Sequence, residues 1–310
     1  MTAFDIVIIG GGPAGLTASV YALRAGKSTA LIEKGMLGGQ VLLTYEVKNY
    51  PAFENITGFE LADKMSKHAL NNGLKVLNGE VLKISKKGKN FTIKYTNGEI
   101  SAKKVILCMG ASARHLNVVG ESEFTGKGVS YCATCDGNLF KGLDVAVVGG
   151  GDTAFEDIKY LAKLANKVYA IHRSTNYKAN QELQDEVLEL VKTDKVVMMP
   201  NTIVRGIKGD RFVTQIDTYN TQTDESSTLD VRGVFVAIGS EPRSAVVKDL
   251  VSLDDYGYIK VDTKRQTSVK GIYSAGDITT TGLRQIITAC ADGAIAGSEA
   301  AKSINAVDKT

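Results

Sequence analysis

The hydrophobic pattern of the chain runs through one unit and then starts again. Residues 4–9 form a short, nearly continuous apolar run, the pattern of a strand buried on both faces of a parallel sheet. Small and apolar positions over 16–25 continue at helical spacing and stop near Gly26. A second apolar run, 28–32, ends in Glu33. Residues 61–71 read as an amphipathic helix, and 75–82, 90–95 and 99–107 as strands, with Asn97-Gly98 as a hairpin turn. The alternation then restarts with an apolar run at 144–148, a helix to about residue 164, a strand at 167–171 and a helix over 181–192. A strand meander over 195–222 and an apolar strand over 231–238 follow. Near the end, 271–277 reads as a strand closing in small residues and an acid, ahead of an Ala/Gly-rich helix after Gln285. Strands and helices alternating in this way predict an α/β fold.

Glycines sit where each unit turns from strand to helix. Gly10-Gly11-Gly12-Pro13-Ala14-Gly15 matches GxGxxG, and Gly149-Gly150-Gly151-Asp152-Thr153-Ala154 matches GxGxxA. Glycine permits the tight turn and close backbone approach, so a pyrophosphate can rest on the free amides of the helix N-terminus. Glu33, at the end of the second strand, is placed to accept a ribose hydroxyl. The equivalent place in the second unit holds His172-Arg173, with Lys178 beyond. A basic edge suits a 2′-phosphate, so the second site favours NADP over NAD. A solvated basic loop is the competing reading. Gly110 to Arg114 and Gly239 to Arg243 share a Gly-x-x-x-Arg pattern that marks an outward and a return crossing between units. Asp277 either caps a helix or makes a second contact to the first dinucleotide, and the second reading is preferred. The small residues of the last helix would let it approach a flat ligand or another backbone.

Between the two fingerprints lies Tyr131-Cys132-Ala133-Thr134-Cys135-Asp136-Gly137. Two cysteines three positions apart can join as an easily reduced disulfide, and Asp136 can give or take the proton that thiol exchange requires. Half of a zinc site is the alternative. The remaining candidates, Cys108, Cys290, His68, His115 and His172, supply no second CxxC or HxxxH spacing, so the redox reading leads and no metal is expected. Cys108 reads as a core residue.

Composition narrows the class without changing this picture. A chain of 310 residues with 44% hydrophobic side chains is long enough for two domains with large cores. The net charge of +3 comes with no basic block, which argues for no nucleic-acid partner. Apolar runs are too short to span a bilayer and nothing at the N-terminus reads as a signal peptide, so a cytoplasmic, soluble protein is expected. Four cysteines make no disulfide framework.

A nicotinamide delivers a hydride and a disulfide accepts electrons by thiolate chemistry, so a relay competent in both is needed, and a flavin is that relay. FAD is therefore expected at the first site and NADPH at the second. At this point the sequence resembles the low-molecular-weight bacterial thioredoxin reductases over essentially the whole chain. The matching stretches are residues 10–15, Gly38-Gly39-Gln40, Cys132 to Gly137, Gly149 to Ala154, Ala275-Gly276-Asp277 and Arg284-Gln285. The resemblance implies two Rossmann-like three-layer dinucleotide-binding domains, the NADP domain (114–243) inserted into an FAD domain (1–113 and 244–310). It implies a homodimer that reduces thioredoxin. It places FAD against residues 33–40, Asn49, Val81 and 277–286, the last including Arg284, Gln285 and Ile286. Cys135 would face the flavin, Cys132 would attack thioredoxin, and Asp136 would donate the proton. The inserted domain would rotate on crossings near 111–115 and 240–244.

One departure stands out. The family's nucleotide segment reads His-Arg-Arg, whereas here Ser174 follows His172-Arg173. Losing one charged contact to a phosphate removes on the order of 1.5–3 kcal/mol of binding. A same-fold reductase with ferredoxin or NADH as donor, or another disulfide as acceptor, stays open, as does a non-enzymatic redox sensor holding zinc.

Overall fold

The computed structural model describes residues 2–44 and 47–307. Glu46, which opens a loop rich in small and polar residues in the sequence, lies outside the described residues. Two compact units form, residues up to Ser112 with those from Glu241 onward, and Ala113–Ser240.

The first unit opens with β1 (Thr2–Ile9), α1 (Pro13–Arg24) and β2 (Thr29–Glu33). Ile6, Val7 and Ile8 are fully buried, because β1 is flanked in parallel by β2 and β6 (Gly98–Leu107) and covered on both faces. Proline at the first helical position suits α1, whose lost N–H had no partner to begin with. Gly26, at φ +72°, ends it.

Helix α2 spans Gly58–Asn71, three residues longer at its start than its apolar period indicates. The cause is a cap: Thr57 Oγ1 accepts from Glu60 N at 3.1 Å. The apolar run 75–82 is two strands, not one. Gly79, at φ +145°, breaks it into β3 (Lys75–Asn78), parallel to β2, and β4 (Val81–Lys87), antiparallel to β5 (Asn90–Tyr95). The next hairpin is displaced by one residue. Tyr95 pairs with Gly98, so Thr96 and Asn97 form the loop and Gly98 opens β6.

At the crossing, β7 (Ala111–Ala113) leads into the second unit, which opens with the short α3 (Glu121–Phe124), β8 (Val129–Ser130) and the single turn α4 (Ala133–Asp136). Then come β9 (Val145–Val148), α5 (Asp152–Ala162), β10 (Val168–Ile171), α6 (Gln181–Lys192) and β11 (Val196–Met199). The meander follows as β12 (Thr202–Gly209), β13 (Val213–Asn220) and β14 (Glu225–Asp230), and β15 (Gly233–Val236) closes the unit. The parallel sheet has the order β11-β10-β9-β15-β8, and β12-β13-β14 is a separate antiparallel sheet. The expected meander over 195–222 therefore starts later and runs further. Val196–Met199 belongs to the parallel sheet, paired with β10, and the alternating segments after Pro200 make the meander.

Strand β16 (Ser240–Pro242) pairs with β7, so the two crossings run side by side. Gly110 O accepts from Arg243 N and Gly239 O from Arg114 N, both at 3.0 Å, with both glycines in the left-handed region. The first unit is completed by β17 (Ile272–Ser274), parallel to β6, and α7 (Ile286–Val307). Small residues on α7 meet another backbone: a Cβ at Gly293 would lie 2.9 Å from Ala14 C, and one at Gly297 3.1 Å from Ala18 Cα.

That crossing sets up an opposition of sign. Gly→Ala in a helix interior ordinarily gains up to about 1 kcal/mol, but at Gly293 the new methyl meets main chain that cannot yield. Gly293→Ala is expected to lower the unfolding free energy by about 1–3 kcal/mol in urea titration.

Candidate redox turn and dinucleotide cradles

The redox turn hangs from the edge strand of the second unit. β8 pairs with β15 and is buried, so the chain leaves it in a fixed direction. Cys132 caps α4, and its carbonyl accepts from Asp136 N at 3.1 Å. Cys132 and Cys135 are joined as a disulfide with Cα atoms 5.3 Å apart, inside the ordinary range of about 4.4–6.8 Å. Ser130 grips the turn from behind. Its Oγ donates to Asp136 Oδ2 at 2.6 Å and accepts from Cys132 N at 3.1 Å. Burial pushes the Asp136 carboxyl up and the Ser130 hydrogen bond only partly offsets it, so this acid holds its proton more tightly than an exposed one. Among the described residues no cluster of three or more His, Cys, Asp or Glu is arranged to hold a metal ion.

The first cradle shows two kinds of glycine. A Cβ on Gly10 would lie 2.7 Å from Cys108 C and one on Gly15 3.1 Å from Gly10 C, so these two close the strand-to-helix turn. A Cβ on Gly12, by contrast, would meet nothing within 4 Å. That position faces outward at the N-terminus of α1, where Pro13 and Ala14 begin the helix and backbone amides favour anionic oxygens. Glu33 braces this loop, accepting from Gly11 N at 2.6 Å and from Gly35 N at 2.8 Å. A carboxylate has about four lone-pair sites, so these bonds leave it acceptor capacity for a hydroxyl. Gly38 N donates to Gly11 O at 2.8 Å, and a Cβ on Gly39 would sit 3.1 Å from Gly12 Cα, which folds residues 38–40 onto the fingerprint. Gln40 Nε2 donates to Ala111 O. Val81 follows Gly79, whose N–H donates to Glu33 O at 2.9 Å.

Residues far apart in sequence complete the group. Asn49 Nδ2 donates to Gln285 Oε1 at 2.9 Å. Arg284 lies over the Tyr258 ring, 4.3 Å from its centroid. Burial raises the Asp277 carboxyl, against which the Arg284 charge acts. Two supporting residues have no sequence signal at all. Asp292, buried on α7, accepts from Gly276 N at 3.3 Å and pairs with Arg265 Nη2 at 2.6 Å, holding the Gly276-Asp277 turn and the start of α7 at Ile286 together.

The second cradle repeats the division. A Cβ on Gly149 would be 2.9 Å from Ala237 C, whereas one on Gly151, the cap of α5, would meet nothing within 4 Å. Ala154 is fully buried, Thr153 is exposed, and Asp152 Oδ1 accepts from Asn180 N at 2.7 Å. His172 packs its ring against Gly150 and beside Tyr177, ring centroids 5.2 Å apart. Burial, helped by the charges of Arg173 and Lys178, holds this imidazole below its usual range, while its Nε2 lies 3.2 Å from Asn176 O. Arg173 and Lys178 are exposed, and neither is in an ion pair among the described residues. The cations of this edge thus remain available for a phosphate. Cys108 is buried and its thiol pushed up by burial, as a core residue.

A family model for pyridine nucleotide-disulphide oxidoreductases matches residues 4–293. The chain belongs to that family. It is 42% identical over 310 residues to a thioredoxin reductase of Peptoclostridium acidaminophilum, covering 98% of each chain. The crystal structure of a thioredoxin reductase from Streptococcus pyogenes is similar at a TM-score of 0.92 and 39% identity, over 98% of this chain and 99% of that one. A ferredoxin-flavin thioredoxin reductase from Clostridium acetobutylicum is similar at a TM-score of 0.54 and 32% identity, over 99% of each chain. Family membership brings flavin and pyridine nucleotide use, and the two glycine cradles have the shape for such ligands.

Asp157, on α5 behind the second cradle, carries a testable titration. Burial, with Glu156 adding, pushes its carboxyl up from the ordinary 3.8 to about 7. Between those values the folded chain keeps a proton that the unfolded chain has lost, so stability falls as pH rises through this window, by up to about 1.4 kcal/mol per unit. Asp157→Asn is expected to flatten that slope in urea unfolding followed from pH 4.5 to 7.5 (values spanning roughly the shifted range).

Proposed function

We propose that the chain is a flavin-dependent thioredoxin-disulfide reductase, with FAD at the first cradle, NADPH at the second and the Cys132–Cys135 pair passing electrons to oxidised thioredoxin. The observation that carries this reading is the disulfide itself, formed on a turn of the unit that also bears the second cradle. The names of the similar proteins supply the acceptor. A bound flavin supplies the conversion between a hydride and a dithiol.

The chain's own residues account for the sulfur chemistry. Reduction of Cys132–Cys135 takes up two electrons and two protons, and Asp136, whose carboxyl burial shifts upward, supplies one proton to the turn. Cys132 as thiolate then attacks a thioredoxin sulfur and breaks that S–S bond, forming a mixed disulfide. Cys135 attacks Cys132 Sγ, the substrate leaves as a dithiol, and the starting disulfide is restored. Gly12 and Gly151 admit the pyrophosphates, Glu33 takes a ribose hydroxyl, and Asn49, Asp277, Arg284 and Gln285 orient the rest of the first ligand. Arg173 and Lys178 select the 2′-phosphate at the second. The same reading makes the protein a cytoplasmic homodimer; among the described residues no helix is long and apolar enough to cross a membrane.

A second reading has ferredoxin as donor. The similarity to the ferredoxin-flavin enzyme and the uncharged Ser174 favour it, while the unpaired Arg173 and Lys178 favour NADPH. Zinc is disfavoured, because Cys132 and Cys135 are bonded to each other.

The deciding experiment follows the flavin band near about 450 nm under anaerobic conditions. NADPH is expected to bleach it, and NADH at least about tenfold more slowly. Bleaching by reduced ferredoxin alone would replace the donor. In Cys135→Ser, bleaching is expected to persist while thioredoxin turnover is lost, and retained turnover would rule out the dithiol route.

A further inference from the structure

The turn that carries the cysteines is held from a second side by residues outside the chemistry described above. Glu121, at the start of α3, is 2% exposed. Its carboxylate accepts from Leu116 N at 2.8 Å, from Asn117 N at 2.7 Å and from the Tyr131 hydroxyl at 2.9 Å. His115 lies at the outer edge of the group, its Nδ1 2.7 Å from the Tyr131 hydroxyl and 3.6 Å from Glu121 Oε1. Asn117 adopts φ +59°, an uncommon conformation for a residue with a side chain, and its N–H points to the carboxylate. One buried anion therefore ties the segment that enters the second unit to the residue directly before Cys132.

Side chains alternate along an extended segment, so Ser130 and Tyr131 leave the backbone on opposite sides. Ser130 reaches Asp136 and Cys132 N, and Tyr131 reaches Glu121. The main chain of Cys132 is thus clamped between two hydrogen-bonded groups. We infer that Glu121, acting through the Tyr131 hydroxyl, is a positioning residue for the redox pair: it holds Cys132 where its sulfur closes on Cys135 at low entropic cost. This rests on the reading of Cys132–Cys135 as the redox pair. A dithiol held near bonding geometry has a high effective concentration of one thiol at the other. Loosening the clamp lowers that concentration and shifts the balance toward the dithiol.

The test uses the full chain as purified, equilibrated with mixtures of reduced and oxidised glutathione. In this exchange the Cys132–Cys135 bond breaks, two glutathione thiols join as one disulfide, and two protons and two electrons pass to the protein sulfurs. The disulfide fraction is read by alkylation and mass spectrometry. Tyr131→Phe removes one hydroxyl and keeps the ring. It is expected to lower the equilibrium constant for closing the disulfide by about threefold to tenfold. Glu121→Gln is expected to act in the same direction at least as strongly. A purely scaffolding role would lower the unfolding temperature and leave this constant alone, so a constant within about twofold of the parent in Tyr131→Phe overturns the inference. Tyr131→Phe decides alone where Glu121→Gln does not fold. If the parent pair never exchanges with glutathione, the redox reading fails instead, which separates the two.

Discussion

The structure depends on one steric constraint, met twice: the turn from strand to helix lies so close to other main chain that its first glycine has no room for a Cβ. At Gly10 a side-chain carbon would run into the main chain of Cys108, at Gly15 into that of Gly10, and at Gly149 into that of Ala237. Any other residue at these points must displace that main chain, with an overpacking cost of about 1–3 kcal/mol or more. Because the turns are this tight, the first amides of α1 and α5 emerge at the ends of buried strands, and Gly12 and Gly151 leave the space before them open. Free amides at a helix N-terminus favour an anion by backbone geometry, with no charged side chain required.

With the backbone solution shared, side chains at the ends of the second strands distinguish the two cradles. Glu33 is spent partly on its own loop, fixing Gly11 and Gly35, and keeps an acceptor face for a hydroxyl. In the second unit His172, its imidazole held below the usual range by burial, packs on the fingerprint while Arg173 and Lys178 stand exposed. Carboxylates elsewhere in both units share another feature. Asp136, Asp157, Asp277 and Asp292 are all raised by burial, which Ser130, Arg284 and Arg265 oppose at Asp136, Asp277 and Asp292 and which Glu156 reinforces at Asp157. Of these, only Asp136 lies in the turn that carries Cys132 and Cys135.

Much of this was legible in the sequence because the pattern and the physics coincide. Strands β9 and β10, and β1 from Ile6 onward, are apolar because both faces are covered, and Gly10, Gly15 and Gly149 stand where a Cβ has no room. Periodicity fails where it carries no information about direction. It cannot show that residues 75–82 break at Gly79 into two strands at opposite ends of the sheet, or that Val196–Met199 pairs in parallel with β10 instead of joining the meander. Hydrogen bonds between distant residues leave no trace either. Asn49 and Gln285 are 236 positions apart, and Asp292 reaches Gly276 from another element. Ser130, two residues before Cys132, was within reach of a local reading, since a hydroxyl there faces the acid that follows the CxxC.

Electron capacity tests the central claim most directly: that one chain joins a flavin to a reducible sulfur pair. Anaerobic titration of the flavin-loaded protein with dithionite, with free thiols counted at each step, is expected to consume about four electrons per chain, and about two in Cys132→Ser. Equal uptake by the two proteins, with no new thiols in the parent as the flavin bleaches, would contradict the account.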